Sequence, residues 1–271
     1  MRIKKIVLIL LLNWFSVTVL FAQVDTLIIF SESMNKTIPN LVIKPQQYKS
    51  NVTELPVLYL LHGAGGNYTN WLLKVPLIKK YATDFNILIV CPDGGKTSWY
   101  FDSPVDDEMK YETYISKELI EFIDQKYNTI AQKEGRAITG LSMGGHGAFY
   151  LAFKHQEIWG AAGSMSGGVD IRPFPKSWEI HKRLGTQQAH KENWDKNTVI
   201  NLVHLLKGDL QLIFDCGYND FFLQVNQNLH EKLVEMKIAH DYIERPGSHN
   251  WDYWRNSIEY QLLFFNKFFT K

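Results

Sequence analysis

The sequence predicts an α/β fold with a mostly parallel central sheet, antiparallel strands at its N-terminal edge and helices on both faces. Three observations predict it. Short, continuously apolar runs read as strands covered on both sides, segments of helical periodicity alternate with them, and several runs close on turns rich in Gly, Asp and His.

Taken in order, the chain opens with a basic cluster, Arg2, Lys4 and Lys5. Ile6 to Phe21 follows, apolar apart from Asn13, Ser16 and Thr18, and then Ala22. This is the pattern of a signal peptide over 1–22 with cleavage near Ala22, which places the product in a secreted or periplasmic location. Leu20 stands where a small residue suits cleavage better, so a retained membrane anchor is the competing reading, and stable membrane association is expected to be absent if the leader is removed. Residues 23–271 are expected to form a single domain, since 271 residues allow one large core and no second domain of similar size.

Asp25 to Phe30 and Thr37 to Ile43 read as an antiparallel pair around the polar stretch Ser31 to Lys36. Pro56 to Leu61 and Asn86 to Val90 are buried parallel strands by composition. Glu112 to Tyr127 has helical spacing with acid in its first half, as a crossover helix should. Arg136 to Leu141 is the next strand, Gly144 to Lys154 a helix and Gly160 to Met165 a strand. Leu210 to Phe214, a helix near Leu223 to Met236, the strand Asp241 to Glu244 and a last helix near Trp251 to Phe269 complete the alternation. The connection over 168–208 is longer than its neighbours, with a helical piece near Val199 to Leu206, and is expected to act as a lid or binding wall.

Composition excludes several classes of function. With 29 basic against 28 acidic residues there is no field for a phosphate backbone, and no basic run interleaved with aromatics, so nucleic acid is not an expected partner. No Walker lysine pattern and no G-x-G-x-x-G point to a phosphate-bearing cofactor. His62, His146 and His249 lack metal-site spacing, so neither a metal nor another cofactor is expected.

Gly140-Leu141-Ser142-Met143-Gly144 fits G-x-S-x-G, with an apolar strand before it and a helix rich in small residues after it. A nucleophile at so sharp a turn needs small neighbours, because helix and strand backbones nearly touch there. A serine hydroxyl also needs a base, and the base needs an acid; in this strand-turn-helix setting the chain order is Ser, then Asp, then His. Asp220 is the favoured acid, since it lies in the loop above the strand end. Asp215 abuts the strand and Asp170 is a more distant alternative. His249, just before the last helix, is the candidate base, whereas His204, His230 and His240 read as surface residues. Two N–H groups must face the developing oxyanion, and Met143 with Ala64 are the candidates, Gly65 competing with Ala64.

His62-Gly63-Ala64-Gly65-Gly66-Asn67 with Trp71, Pro92-Asp93-Gly94-Gly95 with Trp99-Tyr100, the Ser142 motif, Cys216-Gly217-Tyr218-Asn219-Asp220-Phe221 and Gly247-Ser248-His249-Asn250-Trp251 together resemble the esterase D family of α/β-hydrolases. That family contains tributyrin, feruloyl and acetyl-xylan esterases, S-formylglutathione hydrolase and the mycolyltransferases, and the resemblance runs from about Ser31 to the C-terminus. It implies an α/β-hydrolase fold, and a serine carboxylic-ester hydrolase with Ser142 as nucleophile, His249 as base, Asp220 as acid, and Ala64 and Met143 as oxyanion donors. It also implies three strands between those ending at Cys91 and Cys216, hence about 19 Å between the two cysteines. A disulfide tolerates a Cα separation of only about 7 Å, so both thiols are expected free and buried.

The expected substrate is a short-chain or aromatic acyl ester, a small molecule or an oligosaccharide. Candidate substrate contacts are His62, Trp71, Trp99, Tyr100, His146, Trp178 and Trp251, with His146 read as packing or substrate wall. Acyl transfer to a sugar and non-catalytic sugar binding are the alternatives, and oligomeric state is not legible.

Overall fold

The computed structural model describes residues 23–50, 52 and 54–271; the leader expected at 1–22 lies outside them. Its sheet has eight strands among the described residues: β1 (Gln23–Ser31), β2 (Lys36–Lys44), β3 (Val57–Leu61), β4 (Leu88–Pro92), β5 (Arg136–Gly140), β6 (Ala161–Met165), β7 (Gln211–Gly217) and β8 (Asp241–Arg245). They lie in the order β1-β2-β4-β3-β5-β6-β7-β8. The β1–β2 hairpin is antiparallel and β2 is antiparallel to β4, while every pairing from β4 to β8 is parallel. This is the α/β-hydrolase fold expected above.

Burial on both faces explains the unbroken apolar runs. All five residues of β3, β4, β5 and β6 are buried, and alternate side chains enter alternate cores. Val57, Tyr59 and Leu61 meet α5 (Met143–Lys154) and its neighbours on one face, while Leu58 and Leu60 meet the other face. That second core is closed by α1 (Asn70–Lys74), α2 (Ile78–Asp84) and α9 (Trp251–Phe269), whose Trp254, Ile258, Leu262 and Phe265 recur at helical spacing. On the first face α3 (Tyr111–Thr113) runs through a π-helical stretch, Tyr114–Leu119, into α4 (Ile120–Lys126), and α8 (Leu223–Glu235) packs beside β7.

Departures from the expected elements have local causes. β4 begins two residues late because Asn86 takes a positive φ of 51° as the chain leaves α2. The expected piece near Val199 to Leu206 is two 3-10 turns, Val199–Asn201 and Val203–Leu205. With α6 (Ile180–Leu184) and α7 (Lys191–Lys196) they make the long connection a packed layer. Trp194 is fully buried and its Nε1–H donates to Gly185 O at 2.9 Å, Ile200 N–H donates to Val169 O at 3.0 Å, and Ser103 Oγ donates to Arg183 O at 2.6 Å.

Cys91 on β4 and Cys216 on β7 are free, buried and separated by β3, β5 and β6. His204 is exposed, as expected. His230 and His240 correct the surface reading: they are half-buried, their Nδ1 and Nε2 lie 2.8 Å apart, and His230 stacks on Tyr242. The start of β8 beside α8 folds both rings against the sheet.

Candidate active site

Strand β5 delivers Ser142 to the rim through a turn that only close packing sustains. Ser142 holds φ 55° and ψ −115°, a left-handed conformation costing a non-glycine residue of order 1–3 kcal/mol. Its N–H donates to Met165 O at 2.9 Å, and its carbonyl accepts from His146 N–H at 3.0 Å, so both sides of the strained residue are tied down. The neighbours must be small: a Cβ on Gly144 would stand 2.6 Å from Leu61 O, and one on Gly140 2.7 Å from the Gly144 carbonyl carbon.

The next two members come from the loops after β7 and β8, which are joined to each other. Tyr218 N–H donates to Arg245 O and Asn219 N–H to Gly247 O, both at 2.9 Å. Asp220 uses Oδ1 to accept from Phe222 N–H at 2.8 Å, which leaves Oδ2 aimed at His249 Nδ1, also 2.8 Å away. His249 Nε2 in turn lies 2.8 Å from Ser142 Oγ. With Nδ1–H donating to the carboxylate, Nε2 presents its lone pair to the serine hydroxyl. Phe221, Trp254 and Phe222 pack around the imidazole at centroid distances of 4.2, 4.9 and 5.4 Å. Asn250 caps α9 directly after His249, accepting from Tyr253 N–H at 3.1 Å.

The competing acids lie elsewhere. Asp215 is wholly buried in β7, and Asp170 pairs with Arg172 at 2.7 Å. Neither bonds to His249. The backbone separates Ala64 from Gly65: Gly65 N–H donates to Lys96 O at 2.8 Å, while among the described residues Ala64 N–H and Met143 N–H make no hydrogen bond. Met143 is also the first residue of α5, where the helix dipole favours negative charge.

A cavity of about 170 Å³ opens above Ser142, Leu141 and His249. Gly63, Ala64, Gly66 and Asn70 line it together with Trp178, Trp251 and Trp254. A larger cavity of about 450 Å³ on the long connection is lined by Pro175, Lys176, His181, Thr186, Gln187 and Gln188 and contains none of these groups, so size alone does not locate the site.

Four of the seven proposed substrate contacts, His62, Trp71, Trp99 and Tyr100, are corrected to structural residues. His62 is buried, with Nε2 accepting from Gly94 N–H and Nδ1–H donating to Gly63 O, both at 2.8 Å, and burial pulls its pKa down. Trp71 is buried and donates to Leu61 O at 3.0 Å. Trp99 and Tyr100 both adopt positive φ, 57° and 62°, which turns the two rings inward, and Tyr100 Oη–H donates to His62 O at 3.0 Å. His146 is packing, as one of its two readings had it: fully buried beside Trp99 and Tyr150, it donates Nε2–H to Asn197 O at 3.0 Å. Burial pushes its pKa down to about 4, although the bond to Asn197 O pulls the other way. Asn70 and Trp254 were missed. Trp254, three residues after Trp251 on the same helix face, was within reach of periodicity; Asn70 gave no signal.

The family described as "Putative esterase" matches residues 31–265. The chain is 27% identical over 249 residues to an acetyl esterase of Caldicellulosiruptor saccharolyticus, covering 84% of this chain and 92% of that protein. It is 26% identical over 250 residues to the diacylglycerol acyltransferase/mycolyltransferase Ag85A of Mycobacterium leprae, covering 78% and 75%. Among solved structures, a ferulic acid esterase superposes with a TM-score of 0.80 at 26% identity, covering 92% of this chain and 99% of its own.

Proposed function

The chain belongs to the Esterase family and is a carboxylic ester hydrolase, and from that premise we propose that it is an exported serine esterase working through an acyl-enzyme on Ser142. The observation that carries the reading is the unbroken relay from Asp220 Oδ2 through His249 to Ser142 Oγ, two contacts of 2.8 Å each. Ser142 Oγ attacks the ester carbonyl while His249 Nε2 takes its proton, and Asp220 stabilises the imidazolium. The oxyanion is received by Met143 N–H and Ala64 N–H. His249 then protonates the leaving alcohol, and a water deprotonated by the same imidazole releases the acid and restores the serine.

The cavity's 170 Å³ equals about five or six waters at ~30 Å³ each, which favours acetyl to butyryl groups. A feruloyl ring needs the half-buried Trp178 side of the mouth. Carbohydrate esters are the proposed substrate class, supported by similarity to acetyl and ferulic acid esterases. Export rests on the leader pattern of residues 1–22.

Labelling with a fluorophosphonate, followed by peptide mass spectrometry, tests the mechanism: the adduct is expected on Ser142 and lost in Ser142→Ala. Folded protein that takes no label refutes it and leaves a sugar-binding homologue. An acetyl, butyryl and feruloyl ester panel ranks the acyl group. Similarity to Ag85A favours acyl transfer as the second reading, and new sugar ester formed with an added sugar acceptor would establish it.

A further inference from the structure

The acid rejected for catalysis is placed to serve it indirectly. Asp215 is fully buried five residues before Asp220. Ser257 Oγ lies 2.6 Å from both of its oxygens, Gln261 Nε2–H donates to Oδ2 at 2.9 Å, and Arg245 Nη2 stands 3.3 Å from Oδ1. Arg245 is four residues before His249. Its guanidinium donates to Asn256 Oδ1 at 3.0 Å and lies 5.1 and 4.2 Å from the Tyr253 and Tyr260 ring centroids.

Tyr253, Asn256, Ser257, Tyr260 and Gln261 follow helical i, i+3, i+4, i+7, i+8 spacing, so two side chains from the sheet grip one stripe of α9. The helix starts two residues after His249. The loop carrying the imidazole is therefore held upstream through Arg245 and downstream through α9, and both holds meet at Asp215. The network also reaches the nucleophile, because Gln261 Oε1 accepts from Thr139 Oγ1, three residues before Ser142 on β5.

We propose that Asp215, with Arg245 and Gln261, is a positioning cluster that sets the reach of His249 to Ser142 by tying together the roots of all three triad-bearing segments. It rests on the Ser142–His249–Asp220 reading. The cluster touches no reacting atom. What it controls is the register of α9 against β5, β7 and β8, and a displacement of about 1 Å at a catalytic group can cost about 100-fold in rate.

The test is Asp215→Asn in the full chain, assayed with p-nitrophenyl acetate and a fluorophosphonate, with folding followed by circular dichroism. The expected result is a loss of about 10- to 100-fold in kcat, a parallel loss in labelling rate, little change in KM, and a shifted or broadened downfield proton resonance for the His249 Nδ1–H. A folded variant whose kcat, labelling rate and resonance match the parent protein overturns the proposal. Should Asp215→Asn not fold, Gln261→Met decides in its place, since it keeps the ion pair and cuts the link to β5: slower labelling at unchanged KM supports the cluster, and an unchanged rate refutes it. Parent protein that neither turns over ester nor takes label would refute the serine mechanism itself, which is a separate failure.

Discussion

Asp220 and Asp215 sit five residues apart at the end of one strand and do opposite things. Asp220 lies in the rim loop, with one oxygen on a backbone N–H and the other on an imidazole that borders the cavity. Asp215 lies one level lower, where burial pushes its carboxyl pKa up against the pull of Ser257, Arg245 and Gln261. The same contrast separates His249 at the rim from His62 and His146 below it, and Trp178 and Trp251 from Trp71 and Trp99. Depth at the carboxyl edge of the sheet, and not residue type, divides chemistry from scaffold.

The largest effect expected is on the rim. Asp220→Asn should lower kcat by about 10⁴-fold, the loss typical when a triad acid can no longer fix the imidazole tautomer, while the melting temperature barely moves; steady-state kinetics beside a thermal melt check both halves. Below the rim the pattern should invert. Trp99→Ala is expected to cost about 3–5 kcal/mol of stability, read from urea unfolding, and a small stability change with a large rise in KM would break the comparison.

His146 supplies a pH test. An unfolded histidine titrates near 6.5, whereas the buried ring titrates at about 4. As pH falls through that window the unfolded chain binds a proton that the folded one refuses, so stability is lost on acidification, by up to about 1.4 kcal/mol per pH unit. His146→Phe should flatten urea midpoints measured between pH 7 and 4.5, leaving the slope due to His62 and His230, whose pKa values are also lowered by burial. Glu112 does not confuse the result. Burial raises its pKa, but bonds from His155, Lys154 and Tyr150 outweigh that and hold it at about 2, so its contribution is lost only below about pH 4.5. An identical slope in the variant would sink the assignment. The smallest effect is at the mouth: Trp178→Ala should lower kcat/KM about tenfold, roughly 1.4 kcal/mol, more for feruloyl than for acetyl esters. A uniform loss across the ester panel would make Trp178 a scaffold residue too.

The strand runs and the Ser142, Asp220 and His249 motifs were legible because each has a local signature in a fixed chain order. Ala64 and Gly65 could not be separated in sequence, since what distinguishes them is the carbonyl of Lys96, contributed by a different loop. Trp71, Trp99 and Tyr100 were misread for a related reason: Trp99 and the cavity-lining Trp178 both sit in loops at positive φ, and only the packing around each decides whether the ring faces core or cavity. The α1 and α2 crossover and the His230–His240 pair likewise depend on tertiary partners, and the helical spacing of Glu112 to Tyr127 does not reveal the π-helical stretch Tyr114–Leu119 inside it.

The backbone at Ser142 carries one more implication. A residue with a Cβ is held there at φ 55°, so Ser142→Gly should raise the unfolding free energy, by about 1 kcal/mol, while abolishing hydrolysis. The chain thus accepts a sturdier form forgone at the very position that gives it an occupation, and selection for thermal robustness alone would drift toward an inert protein.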